Sequence, residues 1–255
     1  MSMIRPGGEK LTEKAVRIAD LPPGAAVLDV GCGEGDTAAF LAEEYGYKTT
    51  GVDLSVKLID KGKARHPGLD LRQMEAEFLS FESFAFDAVL MECSLSVLRL
   101  QADALFEAYC VLKPGGALLI TDLYIKDPDP ARVAEVFAAA REKAQQPVVE
   151  GACGENAALS TIMLDGAILV DELAASLEEL GFEIVHFSDE SDVLPGFAAQ
   201  AILGHGSLEA YFRAVVPEGE DPARYCACGA FCGGGTGGCP KNLGYFLMIA
   251  KKREA

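Results

Sequence analysis

Three groups of residues in this 255-residue chain have the types and spacing to do chemistry. The densest is Cys226-Ala-Cys228-Gly-Ala-Phe-Cys232-Gly-Gly-Gly-Thr-Gly-Gly-Cys239, four thiols among glycines. Such a stretch packs poorly as helix or strand, because glycine has no side chain to bury and loses backbone freedom on ordering. Four thiolates can hold zinc or another thiophilic ion. The spacing C-x-C-x3-C-x6-C lacks the paired C-x2-C knuckles of common structural zinc sites, so a glycine-rich flap of reduced thiols is the competing expectation. The second group is the turn Gly31-Cys32-Gly33-Glu34-Gly35, with Asp29 before it and Asp53 about twenty residues on. Glycines there let a ligand approach the backbone, and the helix start that follows offers unpaired N–H groups. A carboxylate at the distance of Asp53 can accept both hydroxyls of a ribose. A dinucleotide fingerprint wants glycine at position 36, where this chain has Asp36, and an acid there repels a pyrophosphate. The third group is Glu92-Cys93, at the end of an apolar segment.

These residues need elements to hold them. Residues 25–30 (AAVLDV) predict a strand, and DTAAFLAEEYG predicts a helix with Asp36 placed to cap it. The pattern repeats as strand 47–53, helix VKLIDKGKARH, strand 69–75, strand 86–92, helix ADALFEAYCVL and strand 116–124. Alternating β and α segments with largely apolar strands predict a doubly wound α/β fold around a mostly parallel sheet. Seven strands are expected, the last antiparallel. The N-terminal residues 8–20 are expected to be helical. Further on come an amphipathic stretch at 131–145, a helix at 171–181, a strand at 182–187, a helix SLEAYFRAV and a final strand at 244–252. The whole chain, 1–255, is expected to form one domain with insertions at 126–170 and 192–243, the second containing the Cys/Gly-rich segment 226–239. Ligands of open α/β sheets bind at the carboxyl ends of the strands, which is where the Gly31 turn, Asp53, Glu92 and Cys93 fall.

With those elements in order, the sequence resembles the class I S-adenosylmethionine-dependent methyltransferases, nearest the branch with the quinone-biosynthesis and arsenite methyltransferases. VLDVGCGEGDTAAFLA is similar to their first motif, TTGVDLS to the second, FDAVLMECSLSVL to the strand-four motif and LKPGGALLITDLY to the strand-five motif. The resemblance implies a Rossmann-like fold, S-adenosylmethionine as cofactor and methyl transfer to a small-molecule acceptor. Carried over by position, Gly31 and Gly33 lie against the methionine part of the cofactor. Asp53 takes the ribose hydroxyls, and Leu54 meets the adenine. Glu75 and Ala76, with Glu77 nearby, meet the adenine edge. Glu92 sits beside the sulfonium and amino group. Asp29 either touches the cofactor or orients the amides of the turn. In the arsenite methyltransferases a cysteine at a position similar to Cys93 holds the acceptor, but the next cysteine expected of them is replaced by Met163 here. The alternative to an enzyme is a thiol-rich metal- or metalloid-binding module on the same fold. Arg5-Pro6-Gly7-Gly8 reads as a plain N-terminal loop, with a cap over the cofactor as the other reading.

The formal net charge of −17 argues against nucleic acid or an anionic membrane surface as a partner, since that grip needs clustered Lys and Arg. No stretch has the roughly 18 consecutive apolar residues of a membrane span, and no leader pattern opens the chain. A cytoplasmic location is expected. There thiols stay reduced, so Cys32 and Cys110 are expected to pack as small buried hydrophobes.

Overall fold

A computed structural model describes residues 5–98, 100–135, 138, 162–164, 167–215 and 242–254. The first half alternates as expected: α1 (Gly8–Ala19), β1 (Ala26–Val30), α2 (Asp36–Tyr45), β2 (Lys48–Asp53), α3 (Val56–Arg65), β3 (Asp70–Gln73), β4 (Phe86–Glu92), α4 (Gln101–Val111) and β5 (Leu112–Ile125). Two short strands, β6 (Met163–Leu164) and β7 (Ala167–Ile168), precede α5 (Val170–Leu180) and β8 (Phe182–Asp189). Helices α6 (Leu194–His205) and α7 (Leu208–Val215) then lead to β9 (Leu243–Lys252) among the described residues.

All nine strands among the described residues belong to one sheet. β3-β2-β1-β4-β5 run side by side in parallel. β9 pairs antiparallel with β5 along Ala117–Ile125, and β8 pairs with the other edge of β9. Seven long strands with one reversed match the sequence expectation. The two-residue strands β6 and β7 do not: they form an antiparallel pair whose Ile168 meets Tyr124 of β5, past the last residue that β4 pairs. They fall in the insertion expected at 126–170, for which no strand was expected.

Period-2 alternation distributes the core to both faces of the sheet. Leu28, Val89, Met91, Leu118, Ile120 and Met248 bury on one face, with Leu105 of α4 and Leu173 and Leu177 of α5. Val27, Leu90, Leu119, Tyr245, Leu247 and Ile249 bury on the other, under Leu11, Ala15 and Val16 of α1 and Leu41 of α2. The near-continuous apolar runs of β1, β4, β5 and β9 follow from that two-sided burial. Lys252, near the end of β9, donates from Nζ to the carbonyls of Tyr109 (2.7 Å) and Leu112 (2.9 Å), which places a cation at the C-terminus of α4.

Two local expectations are corrected. Asp36 does not cap α2: Gly35 is the cap, in the left-handed region at φ 82, and Asp36 is the first helical residue. Its carboxylate is drawn to Arg65 of α3 (3.0 Å) instead. Between β8 and β9 there is a helix, α6, beyond the one expected. Pro195 sits in its first turn, where a missing N–H costs nothing, and Gly206 closes it in a left-handed conformation. Cys32 packs with Ile59 and Leu71 as expected, while Cys110 is only partly buried.

Leu28, fully buried on β1, is paired on both sides by β2 and β4. Leu28→Ala is expected to cost about 2–5 kcal/mol through the lost burial and the cavity left behind, read as a lower urea midpoint with little change in slope.

Candidate cofactor site at the carboxyl ends of the central strands

The turn after β1 is held by its neighbours' backbones. Gly31 N and Cys32 N both donate to Val52 O of β2 (2.8 and 3.0 Å), and Gly33 N donates to Asp53 Oδ2 (2.9 Å). The turn amides are therefore oriented by β2 and Asp53, and not by Asp29. Gly31 has φ 79, and a Cβ placed on it falls 2.6 Å from Ser94 Cβ, so the turn and the segment after β4 approach as closely as backbone allows. Asp53 also accepts from Ser55 N through Oδ1 (2.8 Å). Each carboxylate oxygen thus holds one amide and keeps a second acceptor direction. Leu54 beside it is 47% exposed, an apolar surface next to a polar one.

The loop after β3 leaves alongside Asp53, since Met74 N donates to Asp53 O (3.0 Å). On that loop Glu75 is exposed and Ala76 buried. Glu77 turns toward α4 and accepts from Leu100 N at 3.4 Å.

Glu92, at the end of β4, is the meeting point of three elements. Its Oε1 accepts from Thr12 Oγ1 of α1 (2.6 Å), and its Oε2 from Thr37 Oγ1 of α2 (2.9 Å). Arg5 lies 3.1 Å from Oε2 through Nε and donates from Nη2 to Thr12 Oγ1 (2.7 Å). The Arg5 and Glu92 side chains are only 10% and 8% exposed. Arg5-Pro6-Gly7-Gly8 is thus more than a plain loop: its arginine is built into the strand-end cluster. Burial pulls the Arg5 pKa down, but the charges of Glu92 and Asp29 outweigh it and the net direction is up. Asp29 is buried and its Oδ2 has no hydrogen-bond partner. Burial first, then the Glu92 charge, against the opposing pull of Arg5, raises its pKa to about 8. Ser94 Oγ and Arg5 Nε are likewise buried without a hydrogen bond. Asp53 is shifted upward by burial, opposed by the amides of Ser55 and Gly33.

Cys93 follows Glu92 with φ 53, rare for a residue with a side chain. Its N–H donates to Thr121 O (2.8 Å), and its Sγ lies 2.9 Å from Tyr245 Oη of β9. Tyr245 Oη in turn donates to Thr121 Oγ1 (3.1 Å). Helix α7 brings Tyr211 within electrostatic reach of Cys93 and Arg5. The fold therefore gathers Asp29, Gly31, Gly33, Asp53, Leu54, Glu92 and Cys93 at one sheet end, with the loop carrying Glu75, Ala76 and Glu77 at its side. Arg5 was noted in the sequence only within an N-terminal loop, and Thr12, Thr37, Asp122 and Tyr245 were not singled out there. Of these only Asp122 left a trace, a charge inside the apolar run ALLITDLY. Cys226, Cys228, Cys232 and Cys239 lie outside the described residues, among which no group of three or more His, Cys, Asp or Glu could hold a metal ion. No helix among them is long and apolar enough to cross a membrane.

The raised pKa of Asp29 has a definite sign in stability. The unfolded chain releases this proton near pH 4 and the folded chain near pH 8, so wild type loses stability as pH rises between about those values. Asp29→Asn, neutral throughout, is expected to melt above wild type at pH 8, with the gap shrinking toward pH 4. A gap of constant size across thermal melts at several pH values is the contrary result.

The description "Methyltransferase domain" fits residues 27–116, which run from β1 into β5. Methyltransferase YodH of Bacillus subtilis, itself uncharacterized, is 38% identical over 129 residues, 49% of this chain and 54% of that protein. Phosphoethanolamine N-methyltransferase 1 of Zea mays is 34% identical over 128 residues, 48% of this chain and 25% of that protein. This chain therefore spans about half or less of the length of these relatives. Methyltransferase GfsG of Streptomyces halstedii is 28% identical over 204 residues, 74% of this chain and 67% of that protein. Among solved structures, the cyclase SpnF superposes with a TM-score of 0.66 at 26% identity, covering 97% of this chain and 82% of that one. Residues 27–116, which hold the glycine turn and the acid that ends β2, are thus similar to a methyltransferase domain.

Proposed function

We propose that this protein transfers a methyl group from S-adenosylmethionine to a small-molecule acceptor. The observation that carries the reading is the set of polar groups at the ends of β1, β2 and β4, which suits a nucleoside bearing a cation and no phosphate. Asp53 has acceptor capacity left for two hydroxyls, with Leu54 exposed beside it as an apolar seat for a ring. A side chain at Gly31 would collide with Ser94 Cβ, so the turn stays bare of one at that point. Glu34 and Asp36 on the turn disfavour a pyrophosphate. Farther in, Glu92 is paired with Arg5, and Asp29 keeps a proton whose release would supply a negative charge. When bound, the cofactor supplies a methyl group activated by a sulfonium.

The protein's part is to bind, align and keep water out, because methyl transfer needs a positioned acceptor in a dry pocket more than covalent help. Asp53 and Leu54 hold the nucleoside end. Glu92, fixed by Thr12, Thr37 and Arg5, presents a carboxylate that does not have to reorganise when a cation arrives. A cation beside Asp29 favours its ionised form, so binding there draws off the proton it otherwise keeps. Cys93 marks the acceptor side.

Asp53→Ala is expected to weaken binding of S-adenosylhomocysteine by roughly 1.5–3 kcal/mol, the range for hydrogen bonds to a charged group, as read by calorimetry. Unchanged affinity removes Asp53 from the site. A screen with radiolabelled cofactor against quinol, amine, thiol and metalloid acceptors tests the activity itself, and binding without any transfer overturns the enzyme reading. For the four C-terminal cysteines, elemental analysis of protein purified under reducing conditions separates the two expectations. One zinc per chain, lost on substituting Cys228 and Cys232 together, establishes a metal site, and its absence leaves reduced thiols.

A further inference from the structure

Of the four buried side-chain polar atoms that lack a hydrogen bond among the described residues, three lie at the carboxyl end of the sheet: Asp29 Oδ2, Ser94 Oγ and Arg5 Nε. Asp29 and Ser94 are 3% and 4% exposed. A buried polar group left unpaired costs the fold more than its bond would have contributed, so three of them in one place point to a missing partner.

The elements bring them together. Asp29 is in register with Leu90 and shares the α1 face with Val27, and Glu92 follows Leu90 on that same face of β4. The two acids therefore sit on adjacent strands, one side-chain step apart. Ser94 approaches from beyond β4: its Cβ lies 2.6 Å and its Oγ 3.3 Å from the place of a Cβ on Gly31. Its hydroxyl thus rests against the turn, two residues after Asp29. Arg5 closes the group from the α1 side. Gly7 and Gly8, at φ 77 and φ 52, turn the chain there, and Gly8 N donates to Arg5 O (3.2 Å). The guanidinium is anchored by Nη2 on Thr12 Oγ1 (2.7 Å) and lies 3.1 Å from Glu92 Oε2 through Nε, out of line for a hydrogen bond. Of its five N–H groups, one is spent on a hydrogen bond among the described residues.

An unused carboxylate oxygen on one side, with an unused guanidinium N–H and a hydroxyl on the other, suits a zwitterion better than a single ion. A lone cation leaves Arg5 Nε and Ser94 Oγ unserved, and a lone anion meets Asp29 and Glu92. We propose that these residues seat an α-amino acid group, in which Asp29 beside Glu92 takes the ammonium, and Arg5 with Ser94 takes the carboxylate. This rests on the methyltransferase reading and deepens it, giving the amino acid end of the cofactor its own side chains as Asp53 and Leu54 serve the nucleoside end. Arg5 need not leave Glu92 to do so, because a guanidinium has donors enough for Thr12, Glu92 and a further carboxylate, and its anchors hold it in place beforehand.

Calorimetry with two ligands tests the seat. S-adenosylhomocysteine carries the amino acid group, whereas 5′-methylthioadenosine keeps the nucleoside and the thioether without it. Wild type is expected to bind the first about tenfold or more tighter. Arg5→Met is expected to weaken S-adenosylhomocysteine by about tenfold or more and 5′-methylthioadenosine by less than about threefold, with Arg5→Lys recovering part of the loss. An equal loss for both ligands marks Arg5 as a structural prop and overturns the proposal. Ser94→Ala removes a hydroxyl that bonds nothing in the folded chain, so it keeps the test open if the Arg5 variants do not fold. It is expected to weaken S-adenosylhomocysteine several-fold and leave 5′-methylthioadenosine alone; unchanged affinity for both overturns the part given to Ser94. Equal affinity of wild type for the two ligands leaves the methyltransferase reading and overturns the seat, whereas binding of neither overturns that reading and the seat with it.

Discussion

A carboxylate in a place that water barely reaches must be satisfied by the protein, and Glu92 sets that requirement for the carboxyl end of this sheet. Its partners come from three separate pieces: Arg5 from the N-terminal segment, Thr12 from α1 and Thr37 from α2. Removing any one leaves a buried lone pair or a buried cation, each costlier than the bond was worth. The helical cover on the α1 face is thereby tied to the strand end at one point. The same carboxylate explains Asp29. Two acids share one guanidinium, and in low dielectric the surplus negative charge is relieved by keeping a proton on the more buried acid.

Much of the architecture was legible in residue order. Largely apolar runs alternating with helical segments pointed to the long strands, and the glycine turn with its distant acid pointed to the carboxyl edge as the expected binding edge. Failures arose where a residue's meaning depends on what the fold brings to it. Asp36 has the chemistry of a helix cap, but Gly35 already supplies the required backbone conformation and Arg65 is within reach. No helix was expected at 194–205, yet proline in a first helical turn is harmless and α6 runs through Gly196. Strands of two residues, such as β6 and β7, carry too little periodicity to register.

The site shows the same division. Asp53, Gly31 and Gly33 are set by local turn geometry and were readable. Arg5 and Tyr245 lie far from Glu92 and Cys93 in sequence and gain their roles only by contact, through α1 docking on the sheet and through β9 pairing with β5. Tyr245 occupies an apolar strand where a tyrosine is unremarkable packing. Its hydroxyl becomes informative only once its two neighbours are known to be Cys93 and Thr121.

The placement of β9 has a consequence for how the molecule is assembled. It follows every other strand in sequence yet lies between β5 and β8, with residues 190–242 separating it from β8. During synthesis β5 and β8 emerge first, and each must wait with an unpaired, largely apolar edge until β9 arrives to join them. Closing a loop of that length costs little more than closing a short one, since the entropy grows only with the logarithm of length. The burden falls on timing: the parallel half of the sheet can form early, whereas the antiparallel half, and with it the Tyr245 hydroxyl that contacts Cys93, is completed last.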